Sequence, residues 1–193
     1  MTRIISGSAG GRTLRTPAGS GTRPTSDRVR EALFSRLEHH GLLDGTHVLD
    51  LYAGSGALGL EAASRGASLV LLVESDKKAA KVIAANIDVV GIPGVRVITD
   101  TVERVLRGGP PAGIRMDLVL IDPPYDVGEA ALGDVLTALV EQGWLGPEAF
   151  VVVERSTRSP QPSWPPGLEL SGEKRYGETT IWFAEPPISG GVA

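Results

Sequence analysis

From Thr46 onward, short, almost continuous apolar runs alternate with longer amphipathic stretches. Runs such as Leu69–Val73, Leu118–Ile121 and Phe150–Val153 have no polar alternation, as expected of strands covered on both faces. The pattern predicts strands over 47–52, 68–74, 95–99, 117–121, 149–154, about 168–174 and 179–184, and helices over 57–66, 76–90, 102–107 and 129–142. Strand and helix in strict alternation imply a mostly parallel sheet with helices on both faces. No helix separates the last two strands, and Tyr176-Gly177-Glu178 offers a tight turn, so the sheet should end in an antiparallel hairpin. Before Thr46 the reading changes. Residues 3–6 and 12–15 read as two short strands about a glycine-rich turn, and 17–24 as a loop. Ser26 or Thr25 can cap a helix to about His39, with Val29, Leu33, Phe34 and Leu37 on one face. The expected fold is α/β and Rossmann-like, with a seven-stranded mostly parallel sheet, an antiparallel C-terminal hairpin and a small N-terminal hairpin/helix appendage. The expected division is an appendage over 1–40, the main domain over 41–185 and a tail over 186–193.

Length and composition narrow the chemistry. At 193 residues, with 41% hydrophobic and 22% charged, the chain suits one globular domain. The absence of cysteine excludes disulfides and thiolate chemistry, and three histidines (39, 40 and 47) make a poor metal cluster, so no metal is expected. No stretch has the length of a membrane span or the form of a signal peptide, so a cytoplasmic protein without membrane association is expected. Net charge is −4, yet it is unevenly spread. Residues 1–40 carry seven arginines against Asp27, Glu31 and Glu38, a balance of +4, whereas the remainder has 12 basic and 20 acidic side chains, a balance of −8. A basic head on an acidic body is the footprint of an element facing a polyanion, or of a solvated leader.

Val48 to Gly59 reads as strand, glycine-rich turn and helix start. Gly54, Gly56 and Gly59 fit a dinucleotide fingerprint, and Glu74 closes the next strand about 20 residues on, as that fingerprint expects. Asp50 opposes a pyrophosphate, because it puts an anion just before the helix N-terminus where the phosphates would lie. The loop suits instead a cationic nucleoside such as S-adenosylmethionine (SAM), which has an ammonium, a sulfonium and no phosphate. Asp50 would then face the ammonium, Glu74 the ribose hydroxyls and Asp100 the adenine amine, with the Thr101 N–H meeting a ring nitrogen. Tyr52, Ala53, Gly54 and Gly56 in the loop, and Ser75 after Glu74, complete the expected cofactor set.

Asp122-Pro123-Pro124-Tyr125 follows the apolar strand 117–121 and so lies at the carboxyl edge of the sheet, where open α/β sheets bind ligands. A carboxylate and a proline-constrained carbonyl are pure acceptors, able to take both protons of a planar –NH2 group. Tyr125 offers a face for a flat base. The tetrapeptide therefore reads as the catalytic set of an amino-group methyltransferase.

Several segments resemble the RsmD family. Arg3-Ile-Ile-Ser-Gly with Gly11-Arg12, followed by Arg23-Pro-Thr-Ser-Asp-Arg-Val-Arg-Glu-Ala-Leu-Phe34, is similar to its N-terminal signature. Leu49-Asp-Leu-Tyr-Ala-Gly-Ser-Gly56 and Asp122–Tyr125 match its cofactor and catalytic motifs, and Arg175-Tyr-Gly-Glu-Thr179 looks like its closing hairpin. The resemblance implies SAM-dependent methylation of the exocyclic N2 of a guanine in 16S ribosomal RNA, on an assembled or nearly assembled small ribosomal subunit, by a monomer. It also implies that the appendage contacts RNA, with Arg12, Arg15, Arg23, Arg28 and Arg30 as candidates for phosphate. Thr25 or Arg28 could instead reach the SAM carboxylate, and Arg155 should share the catalytic rim. The turn Ser8–Gly11 departs from the pattern in lacking an aromatic or lysine. Alternatives are an amino methyltransferase acting on DNA adenine N6 or a protein glutamine amide, a nicotinamide enzyme, and a non-catalytic RNA-binding module.

Overall fold

The computed structural model describes residues 2–18 and 26–188. Seven strands form one sheet: β3 (His47–Leu51), β4 (Leu69–Val73), β5 (Val95–Ile98), β6 (Met116–Ile121), β7 (Leu145–Ser156), β8 (Glu169–Tyr176) and β9 (Thr179–Glu185). Their order is β5-β4-β3-β6-β7-β9-β8. The pairs from β5 to β7 are parallel, while β9 runs antiparallel to β7 and to β8. The seven-stranded architecture with its antiparallel end is the one the hydrophobic pattern predicts.

Alternation along each strand sorts the core into two layers. Leu49, Leu51, Val119, Ile121, Val151 and Val153 pack with α4 (Val102–Arg107) and α5 (Glu129–Glu141) on one face. Val48, Leu72, Leu118, Leu120 and Val152 pack on the other face with α1 (Ser26–His39), α2 (Ala57–Ser64) and α3 (Lys77–Val90). Helix α1 contributes Val29, Leu33, Phe34 and Leu37 to this layer, all buried. Burial of each stabilises the fold by about 2 kcal/mol. Arg36 lies over the Phe183 ring at 4.8 Å and pins the end of the same helix. Packing therefore joins α1 to the sheet, although the sequence places it with an appendage.

The N-terminal hairpin pairs β1 (Thr2–Arg3) with β2 (Thr13–Leu14). It docks on α2 and α3 through Ile4, Ala9 and Leu14 against Leu60 and Val90. Gly7 has φ +83, and a Cβ there would lie 1.9 Å from the Ser64 carbonyl oxygen, so only glycine lets this turn close on α2. The buried Glu61 carboxylate accepts from the Ile5 and Ser6 N–H groups at 2.8 and 3.1 Å.

Several boundaries differ from expectation, most visibly in two strands of the sheet. Strand β7 starts at Leu145 rather than 149, because Leu145 already pairs with Met116 before the register shifts to Leu118↔Phe150 around Pro147. Strand β8 runs on to Tyr176, where Gly177 (φ 58) turns the chain into β9. The predicted cap at Thr25, the loop from 19 to 24 and the end of the tail from 189 lie outside the described residues.

Candidate functional site

The strand order reverses between β3 and β6, and that switch point carries the site. Leu51 pairs with Val73 and with Ile121, so Tyr52, Glu74 and Asp122 leave the sheet side by side. Between them opens a cleft of about 510 Å³ lined by Tyr52, Gly54, Glu74, Ser75, Thr101, Glu103, Asp122, Pro123, Pro124, Asp126 and Val127, with Val73 and Val102 as its apolar floor. Four of the lining residues are carboxylates, and none is a lysine or arginine.

The glycine loop is held from both sides. Tyr52 takes φ 61, and Gly54 (φ 60) and Gly56 (φ 81) continue the left-handed path into α2. Glu74 Oε2 accepts from the Gly54 N–H at 2.8 Å, and Oε1 from the Asp76 N–H at 2.8 Å. Each oxygen keeps a lone pair for a ligand hydroxyl. Ala53 is spent on structure, its N–H bonding the Val73 carbonyl at 3.0 Å.

Asp50 lies beneath the loop and is 1% exposed. Its Oδ2 accepts from the Gly59 N–H at 2.8 Å, while Oδ1 is buried with no partner. A Cβ at residue 59 would meet Leu72 at 2.8 Å and Asp50 Oδ2 at 3.0 Å, so glycine there permits the close approach. Burial pushes the Asp50 carboxyl up to about 7, and the neighbouring Asp122 and Glu74 charges add to the shift. The orphaned oxygen and a cleft whose charged lining residues are all carboxylates fit a cationic ligand such as SAM and repel a phosphate.

Several expected contacts are already committed elsewhere. Asp100 Oδ1 accepts from the Thr101 N–H at 2.8 Å and lies 3.6 Å from Arg104, so in this conformation that N–H does not await a ring nitrogen. Thr101 reaches the cleft, and its side chain caps α4 by accepting from the Arg104 N–H at 3.3 Å. Arg30 is 4% exposed and binds Asp27 at 3.2 Å and the Arg3 carbonyl, which removes it from the phosphate candidates. Arg12 donates to the Val89 carbonyl at 2.8 Å and also to that of Val90, capping the end of α3. Arg155 is 9% exposed and donates to the Val127 carbonyl at 3.0 Å, so it is tied to the Asp122–Gly128 loop rather than facing solvent. Arg15 and Arg28 are exposed. Arg23 and Thr25 lie outside the described residues.

The loop Asp122–Gly128 crosses the rim. Pro123 is buried, Tyr125 is 71% exposed, and the Val127 N–H closes a turn on the Pro124 carbonyl at 3.1 Å. Sequence reasoning missed Glu103, which lines the cleft from the first turn of α4, and Asn86. The fully buried Asn86 bonds both the Arg15 backbone and the Ser55 carbonyl. An asparagine in the apolar stripe of α3 was the one available signal.

Comparison with known proteins identifies the family. A family model described as conserved hypothetical protein 95 matches residues 2–185. Ribosomal RNA small subunit methyltransferase D of Escherichia coli (strain K12) is 36% identical over 176 residues, covering 91% of this chain and 85% of that protein. YlbH of Bacillus subtilis (strain 168) is 34% identical over 180 residues, covering 93% and 96%. The solved structure of Escherichia coli yhhF superposes with a TM-score of 0.83 at 32% identity, covering 96% of this chain and 98% of that one. On the family match across nearly its whole length and these relatives, the chain belongs to the RsmD family.

Proposed function

We propose that this protein is a SAM-dependent methyltransferase that modifies the exocyclic N2 amine of a guanine in 16S rRNA of the small ribosomal subunit. The observation that carries the reading is a cleft walled by Glu74, Glu103, Asp122 and Asp126, without a cation, and with Pro123 and Pro124 at its lip. Relatives named as small-subunit rRNA methyltransferases support the substrate class. Among the described residues no group of His, Cys, Asp and Glu could hold a metal, and no helix is long and apolar enough to cross a membrane.

SAM would be held by Glu74, Ser75, Thr101 and the glycine loop, with Asp50 serving its cationic end, and would supply an electrophilic methyl group on sulfur. The chain's own part is alignment. Asp122 and the Pro123 carbonyl accept the two N–H bonds of the target amine and turn its lone pair toward the methyl. The same acceptors stabilise the positive charge that grows on nitrogen during transfer. Holding the partners in this geometry supplies several kcal/mol of the barrier. Asp122 can then accept the departing proton, while Tyr125 stacks on the base. A guanine must leave its stack to enter such a cleft. Arg12, Arg15 and Arg28 are exposed candidates for positioning phosphates, which orient RNA without reading it. So modest a basic surface on an acidic monomer favours recognition of the particle's shape over naked RNA.

The test is methyl-labelled SAM with three substrates: small subunits lacking the modification, their deproteinised RNA, and duplex DNA. Label confined to the particle and mapping to guanine N2 is expected. Label in DNA, or none in RNA despite SAM binding, would overturn the reading.

A further inference from the structure

A buried charge lies behind the catalytic loop, and the chemistry above makes no use of it. Arg155 sits near the end of β7, paired with Thr180 of β9 and two residues past the Val153↔Ile121 pair with β6. Only 8% of its side chain is exposed. Its Nη2 donates to the Val127 carbonyl at 3.0 Å and to Glu129 Oε1 at 2.5 Å. One guanidinium therefore ties a central strand to the last part of the Asp122–Gly128 loop and to the first turn of α5.

A need for stability does not account for this arrangement. A buried ion pair is often matched or bettered by apolar residues of similar volume, and this one is incompletely satisfied. Arg155 Nε, Glu129 Oε2 and the Tyr52 hydroxyl are all buried without hydrogen-bond partners. The charges of Glu103 and Arg155 both act on that hydroxyl, and Tyr52 itself holds a left-handed φ of 61 at the cleft wall. Unsatisfied polar atoms and backbone strain gathered under one loop mark a place where geometry is held at the expense of stability.

We infer that Arg155 is a positioning residue, anchored on β7, that fixes the Val127 carbonyl and Glu129 and thereby sets the placement of Asp122–Tyr125 over the cleft. The inference rests on the methyl-transfer reading of that site. A lysine keeps the charge but is a point donor without the planar fork, so it restores the tie only in part. Small displacements matter here, since a misplacement of about 1 Å can lower a rate by about 100-fold.

Wild type, Arg155→Met, Arg155→Lys and Glu129→Gln, each as the full chain, would be compared in three measurements. These are SAM binding by calorimetry, single-turnover methyl transfer to small subunits lacking the modification, and deuterium exchange of peptides spanning 122–130. Arg155→Met is expected to lower the transfer rate at saturating SAM by about 100-fold, with SAM affinity within about threefold of wild type. Its exchange should quicken about tenfold in 122–130 alone, with β3 and β4 still protected. Lysine should recover about tenfold in rate, and Glu129→Gln should fall between the two. A methionine variant with wild-type rate and wild-type exchange overturns the inference. So does loss of SAM binding and of protection throughout the sheet in both the methionine and the lysine variants, which would make the role merely structural. If wild type itself transfers no methyl, the methyltransferase reading fails and exchange decides alone. Local acceleration in 122–130 then supports the tie, and unchanged exchange sinks it.

Discussion

The side-chain amide of Asn86 donates to the Ser55 carbonyl at 2.9 Å and to the Arg15 carbonyl at 2.9 Å, while its oxygen accepts from the Arg15 N–H at 2.8 Å. One fully buried carboxamide on α3 thus joins the segment after the N-terminal hairpin to the glycine loop of the cleft. Asn86→Leu leaves those three backbone groups without their partner. The expected loss is about 3 kcal/mol, or roughly 6–12 °C in Tm for a chain of this size, with weaker SAM binding because Ser55 is released. Thermal melting and calorimetry check it, and an unchanged SAM affinity would show that the glycine loop does not depend on Asn86.

Asp50 predicts a pH dependence. Its folded value of about 7 lies above the ordinary 3.8, so the folded protein holds this proton more tightly than the unfolded chain. The contribution to stability is full below the ordinary value and is lost as pH rises toward about 7, with a slope of at most about 1.4 kcal/mol per pH unit. Asp50→Asn should remove that slope from a series of denaturation curves. A cation beside the carboxylate prefers the ionised form, so SAM affinity should climb with pH up to about 7 and then level off. A flat profile in wild type would place the cation elsewhere.

Asp122 and Tyr125 should separate in their effects. Asp122→Ala is expected to lower turnover by at least about 100-fold while leaving SAM binding largely intact. Tyr125 is 71% exposed, so its loss should not move Tm. Tyr125→Ala should reduce kcat/KM for the particle by roughly 10–100-fold through lost stacking, and Tyr125→Phe should retain most of it. Steady-state kinetics on undermethylated subunits decide both.

Gly7 tests the docked hairpin. Gly7→Val drives a side chain into the Ser64 carbonyl at a backbone angle that valine rarely adopts. The expected cost is at least about 2 kcal/mol, with the hairpin released from α2. Methylation of particles should fall more than SAM affinity does. An equal fall in both would mean that the hairpin acts only through the fold.

Much of this was legible in the chain because the signals were local. Unbroken apolar runs marked β4 and β6, and glycines 54 and 56 stood where the backbone turns left-handed. The apolar run before Asp122 placed it, Pro123 and Pro124 at the edge of the sheet, where they line the cleft. Less legible was the partnering of arginines. Arg12, Arg30 and Arg155 look alike in sequence, yet one caps α3, one is buried against Asp27 and one holds Val127. Those fates depend on contacts remote along the chain, which neither charge nor spacing records. The Thr101 N–H is the opposite case: its partner is the preceding residue, and a one-residue contact leaves no periodic trace.

The strand order also has a consequence for biosynthesis. Val48 pairs with Val70 on one side but with Leu118 on the other. The β3–β4–β5 half closes over short separations, whereas the seam with β6 is a long-range contact and correspondingly slow to form. Chains are made N-terminus first, so the glycine loop and Glu74 are synthesised before Asp122. The two walls of the cleft meet only at that last closure. One wall of the cleft is thus made well before the other, and the cleft itself exists only once β6 has joined the sheet.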